Sequence, residues 1–209
     1  MARILPGSAL TGSKGRIGDL VTYDLNGIQV VRTLPDISKK KSSSRLQNQH
    51  LRSFKVQHAI ARSIKKTIID RIWTHLPLSG GMNPYNQFLK RNRVAYGDTE
   101  YIEFPELMML SDGSLLPAKR FIARKEGENL VFSWENNPSG KPEQLNNRLN
   151  IVILEYRSSL RIIDTDARRS DGQAPVAFFR GGNSLAEGYA FWSSENEDSF
   201  SPSVYWVCR

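Results

Sequence analysis

The chain has 209 residues, with 29 Lys+Arg against 21 Asp+Glu, 3 His and 1 Cys, for a formal net charge of +8. A single Cys excludes an intrachain disulfide and a Cys-rich zinc module. No apolar run approaches the ~18 residues of a membrane helix, and Met1-Ala-Arg-Ile-Leu-Pro-Gly lacks the apolar core of a secretory signal.

In chain order, residues 6–18 are turn formers: Pro6, Gly7, Gly12, Gly15 and Gly18 alternate with small polar residues. Residues 19–34 read as a β-hairpin. Two runs rich in apolar and β-branched residues flank Asn26-Gly27, the pair that a type I′ turn prefers, and Pro35 stops the second strand. Residues 36–45 are a polar, basic linker. From Ser44 a long helix is expected, because Val56, Ile60, Ile64, Ile68, Ile72 and Leu76 recur every fourth residue and Phe54, Ala61, Ile69 and Trp73 widen the stripe. Pro77 and Gly80-Gly81 end it. Asn83 and Pro84 form the cap and first position of a second helix, which carries Tyr85, Phe88 and Leu89 inward and stops near Gly97.

Beyond Gly97 the period changes to two. The expected strands are 107–110, 119–124, 130–134, 149–156, 160–164, 175–180, 188–192 and 203–207, separated by turn clusters such as Ser111-Asp-Gly-Ser and Gly181-Gly-Asn. The expected fold is α+β. A basic hairpin and amphipathic basic helices occupy residues 1–97. An antiparallel immunoglobulin-like β-sandwich follows over 98–209, with Trp134, Phe179, Phe191 and Trp206 in its core.

The charge divides along the same line. Residues 1–94 hold 17 Lys+Arg and 4 Asp+Glu, net +13, and residues 95–209 hold 12 and 17, net −5. This suggests a basic interaction module whose partner is nucleic acid, an acidic protein face, or another copy's C-terminal half. The candidate contact residues are Lys39, Lys40, Lys41, Arg45, Arg52, Lys55, Arg62, Lys65, Lys66 and Arg71, a dense run able to follow a phosphate backbone.

Catalytic patterns fail on spacing or context. Gly7 to Lys14 transposes the Ser and Lys of a phosphate-binding loop and lacks its strand–helix frame. His50 and His58 stand eight apart, not the four that a helical metal pair needs, and His75 lies near the helix end. Asp164, Asp166 and Asp171 are interrupted by Arg168 and Arg169 and read as a charged turn. Cys208 reads as a small apolar residue. No cofactor or metal is expected.

The combination of Met1-Ala-Arg-Ile with Pro6-Gly7, Gly12-Ser-Lys-Gly-Arg-Ile-Gly18, Val21, Tyr23, Asn26-Gly27 and Val31-Arg32 resembles the opening of a family of uncharacterised proteins common in Bacteroidota, with similar openings in phage-encoded proteins. Ser111-Asp-Gly-Ser-Leu115, Phe132-Ser-Trp134, Ala167-Arg-Arg-Ser-Asp-Gly172 and Ser201-Pro-Ser-Val-Tyr205 extend the resemblance over nearly the whole chain. Lys41 to Gln47 departs from the Asn-Pro-x-Thr-x-x-Gln of many relatives and retains the Gln alone. The resemblance implies a hairpin–helix module followed by a β-sandwich and names no catalytic residue.

The leading expectation is a non-enzymatic structural or assembly protein, a subunit or accessory of a larger particle such as a virion, docking on other copies of itself or on other particle proteins. It would reside in the cytoplasm or the virion, with no membrane contact. The second is a nucleic-acid-associated protein that binds phosphates through residues 39–71. The third is a glycan- or small-ligand-binding sandwich that uses exposed aromatics such as Tyr189 or Trp192.

Overall fold

A computed structural model of the chain describes residues 2–25, 27–35, 43–77, 81–136, 142–177 and 185–208. Strands and helices are mixed in an α+β arrangement, and the strands form three antiparallel sheets. The chain divides after Ser44, into Met1–Ser44 and Arg45–Arg209, rather than after residue 97.

In the first unit the expected hairpin is present as β3 (Leu20–Leu25) and β4 (Ile28–Thr33). Gly27 takes φ +78°, the left-handed value that a tight turn between two strands demands. The Gly-rich arm also enters the sheet. β1 (Ala2–Arg3) pairs with β4 and β2 (Gly15–Ile17) pairs with β3, so the order is β1-β4-β3-β2. The loop between β1 and β2 is a chain of turns: the Ser8, Thr11 and Ser13 amides donate to the Leu5, Ser8 and Leu10 carbonyls. Gln29 ties this loop down, its amide donating to the Ser13 carbonyl at 2.7 Å and its Oε1 accepting from the Gly12 amide at 3.0 Å.

The second unit has three layers. Helix α1 (Arg45–Ser63) runs into a π-helical segment, Lys65–Trp73, and α2 (Pro84–Tyr96) follows. The Asn83 side chain accepts from the Asn86 amide, as an N-cap should. The π segment has a sequence cause. An α-helix has 3.6 residues per turn, so a spacing of four advances an apolar stripe by about 40° per step. Wider i→i+5 turns rotate it back, and the Ile69 amide donates to the Ile64 carbonyl accordingly. Ile60, Ile64, Ile68 and Ile72 thereby stay on one buried line. The expected stripe is too long at its start, since Phe54 is exposed and stacks edge-on against His58.

The middle layer is a four-stranded sheet, β11-β10-β7-β8, and the outer layer a three-stranded one, β5-β6-β9. Their spans are β5 Lys119–Glu126, β6 Asn129–Glu135, β7 Arg148–Glu155, β8 Ser159–Arg168, β9 Gln173–Ala177, β10 Ala186–Ser193 and β11 Val204–Cys208. The expected strand at 107–110 is absent. Pro105 starts a 3-10 turn there instead, Pro105–Leu107. Phe179 lies outside the described residues.

Alternation along the middle strands serves two cores. Leu149, Ile151, Ile153, Ala190, Trp192 and Trp206 face the three-stranded sheet, among Leu130, Phe132 and Trp134. Val152, Leu154, Tyr189 and Phe191 face the helices, among Ile68, Ile72, Trp73 and Phe88. All eight residues of β10 are buried for this reason. The helices expected to belong with the hairpin therefore share a core with the strands: their apolar stripe covers the sheet face turned away from β5, β6 and β9. No helix among the described residues is long and apolar enough to cross a membrane.

Candidate functional site

Of the ten expected contact residues, Lys39, Lys40 and Lys41 lie outside the described residues. Arg45, Arg52, Lys55, Arg62 and Lys66 are exposed along the helix. At roughly 100° per residue, positions 45, 52, 55, 62 and 66 fall on one side of it, away from the buried stripe. Two of the ten are held locally. Arg52 reaches Glu100 at 3.6 Å and Lys65 reaches Asp70 at 2.9 Å.

Arg71 points inward, unlike the rest of the run. Its Nε and Nη2 donate to the two carboxylate oxygens of Glu197 at 2.8 and 2.5 Å, and Nη2 also reaches Asn150 Oδ1 at 3.2 Å. Asn150 in turn donates to the Ser193 hydroxyl at 3.0 Å. Glu197 is delivered by a tight turn in which it adopts φ +57°. The Ser194 hydroxyl braces that turn: it donates to Asp198 at 2.7 Å and accepts from the Asp198 and Ser199 amides. Side-chain hydrogen bonds from Ser194 and, secondarily, Ser199 hold the Asp198 carboxyl below its ordinary pKa. A polar cleft of about 410 Å³ opens beside the network, lined by Arg71, Asn150, Glu197, Asp164 and Asp166 among others.

The chemistry available in this cleft is limited because its groups satisfy one another. Both Glu197 oxygens are taken by one guanidinium, and the Asn150 amide is taken by Ser193 and Arg71. Asp164 and Asp166 are exposed on β8. Asp171 instead accepts from the Arg168 amide and the Ser170 hydroxyl. No three His, Cys, Asp or Glu side chains among the described residues could hold a metal ion. The histidines stand apart: His50 pairs with Asp98 at 3.2 Å, His58 Nδ1 bonds the Tyr85 hydroxyl at 2.9 Å, and His75 leans on Phe200. Burial, and secondarily Arg62, lower the pKa of His58. Cys208 is buried in the inter-sheet core.

Arg71 is thus a clamp from the π segment to the 194–199 turn. Arg71→Ala is expected to lower stability by about 1–2 kcal/mol, since a bidentate, partly exposed pair lies between surface and buried ion pairs. A denaturation midpoint unchanged from the parent would show that the clamp contributes nothing.

The aromatics expected to be exposed are not. Tyr189 and Trp192 are each 0% exposed, and the Tyr189 hydroxyl donates to the Pro105 carbonyl. Each sits on a strand covered on both sides, so neither offers a ring to a glycan.

What sequence reasoning missed is the face of the N-terminal sheet. The arm pairs on both edges of the hairpin and places Arg3 and Arg16 on one sheet face with Arg32. The signal was the pair of short runs around Arg3 and Arg16, each too brief to read as a strand alone. No family model matches the chain, and no curated protein matches it.

Proposed function

We propose that this chain is a non-enzymatic assembly protein that docks through its N-terminal unit on other copies of itself or on other proteins of a larger particle, as its resemblance to phage-encoded proteins suggests. The observation that carries the reading is a sheet without a core of its own. Among the described residues of this unit, Val30 and Thr22 are the buried side chains, while Leu5 is 73% exposed and Ile17 47%. A small sheet with so little apolar burial is marginal by itself and gains stability by covering that surface with a partner. The self-satisfied polar network around Arg71 supports a non-catalytic role.

We read the second unit's two sheets as immunoglobulin-like. Lettered A to G in chain order, β5 to β11 form sheets A-B-E and G-F-C-D. That is the constant-domain arrangement with the fourth strand moved beside the third. The inter-sheet core of Trp134, Trp192, Phe132 and Trp206, with ring centroids 5.2 and 4.9 Å apart in the two pairs, supports this reading.

Sedimentation velocity over a concentration series tests the assembly role. The parent is expected to self-associate. A variant combining Leu5→Glu and Ile17→Glu is expected to associate at least about tenfold more weakly, because burying one such side chain contributes ~1.5–3 kcal/mol. A parent that stays monomeric at every concentration, alone and with its native partners, overturns the proposal.

A further inference from the structure

The N-terminal sheet has two chemically different faces. Residues directly opposite one another in an antiparallel pair project to the same side. Arg16 stands opposite Val21, and Val21 opposite Arg32, which makes one row across β2, β3 and β4. Tyr23 stands opposite Val30, and Val30 opposite Arg3, which makes the next row across β3, β4 and β1. Positions 21 and 23 are two apart on one strand, so both rows share a face.

Three arginines therefore surround Val21, Tyr23 and Val30, and no acidic residue occupies those rows. All three arginines are exposed. Arg16 Nε donates to the Gly18 carbonyl at 2.9 Å, which holds that side chain beside the sheet. Arg32 stands over the Tyr23 ring at 5.8 Å. The opposite face carries Ile17, Leu20, Thr22 and Val31, with Asp24 held by Lys14 at 2.6 Å. Ile17, one of the docking residues above, and the three arginines are thus on different sides of one sheet.

We propose that the Arg3–Arg16–Arg32 face binds single-stranded nucleic acid, the guanidiniums on phosphates and the Tyr23 ring against a base. Charge complementarity carries the choice of partner. Arginine presents a fork of donors that matches phosphate geometry, and a ring among the cations gives a base a surface on which to stack. An acidic polypeptide matches the charge but brings no base to stack. Bases paired and stacked inside a duplex cannot lie against a ring, which selects a single strand. Arg16 and Arg32 lie two strands apart, so their backbones are about 10 Å from each other, a width that an extended strand crosses.

The test is fluorescence anisotropy of a labelled mixed-sequence DNA single strand with the full chain between about 50 and 200 mM salt. The parent is expected to bind, with affinity falling as salt rises. Combining Arg3→Gln, Arg16→Gln and Arg32→Gln should weaken low-salt binding at least about tenfold and make the log–log salt slope shallower by about 2, at ~0.7 per phosphate. Tyr23→Leu should weaken binding severalfold at constant slope. Lys14→Gln with Asp24→Asn, on the other face, should change nothing. If the triple variant loses the parent's thermal transition, the three single Arg→Gln variants carry the test, each lowering the slope by about 0.7. No binding by the parent at low salt, or unaltered binding in the folded variants, overturns the proposal. Tighter binding to polyglutamate than to the oligonucleotide overturns it in favour of a protein partner. These readouts do not depend on self-association, so they stand or fall apart from the assembly reading.

Discussion

Gly188→Ala is expected to cost more than about 3 kcal/mol of stability, the range of strongly disruptive core changes. Gly188 lies in β10, between β7 and β11. A Cβ there would stand 2.0 Å from the Val152 carbonyl oxygen, 2.9 Å from the Trp206 indole and 3.0 Å from the Ile153 Cα. Two of these are backbone atoms of the neighbouring strand, so no rotamer change relieves the contact. The third is a ring wedged between the sheets against Phe132 at 4.9 Å. Relief requires parting β10 from β7 or expelling Trp206, and either opens the inter-sheet core. Urea denaturation measures the effect. A midpoint within error of the parent's would mean that the two strands are not held at this separation.

The second large effect is loss of stability in base. Burial holds the Tyr96 and Tyr189 phenols protonated well above their ordinary range, and burial is also the largest cause of the upward shift of Tyr205. Above pH about 10 the unfolded chain sheds these protons while the folded chain keeps them. The folded state then binds more protons, so stability falls as pH rises, by about 1.4 kcal/mol per unit for each of Tyr96 and Tyr189. Arg169 acts in the opposite sense. Burial lowers its guanidinium to about 10, so the folded state sheds that proton first and stability rises with pH. It offsets only part of the phenols' effect, so the net is a loss of stability with rising pH, to which Tyr205 adds.

Tyr96→Phe isolates one contribution. The Tyr96 hydroxyl is buried without a hydrogen-bond partner among the described residues, so its removal is expected to be neutral or stabilising by up to about 1 kcal/mol near neutral pH. The same variant should flatten the alkaline limb. Stability that stays level from pH about 9 to 11 in the parent would contradict the assignment.

The local elements were legible because their signals are local. Asn83-Pro84 starts α2, Gly27 turns the β3–β4 hairpin, and period-two runs place seven strands close to their observed spans. The spacing of four from Ile60 to Ile72 held a further signal. It is the mark of a helix that mixes α and π turns, and it reads as an ordinary amphipathic stripe only while the 40° drift per step is ignored.

Partnership between distant segments was not legible. Arg71 looks in sequence like one more cation in a basic run, yet its carboxylate lies 126 residues away. Tyr189 and Trp192 alternate as half-exposed residues would. Both are buried because the sheet carries helices on one face and a second sheet on the other. Arg3 and Arg16 join Arg32 only when the arm closes on both edges of the hairpin.

The amino-acid order alone therefore determined caps, turns, periods and the uneven charge, since each depends on neighbours a few residues apart. The tertiary structure decided which cations are spent internally, which aromatics are covered, and which arginines share a surface. Burial and ion pairing depend on proximity in space, and nothing in a local pattern encodes which remote strand will lie alongside.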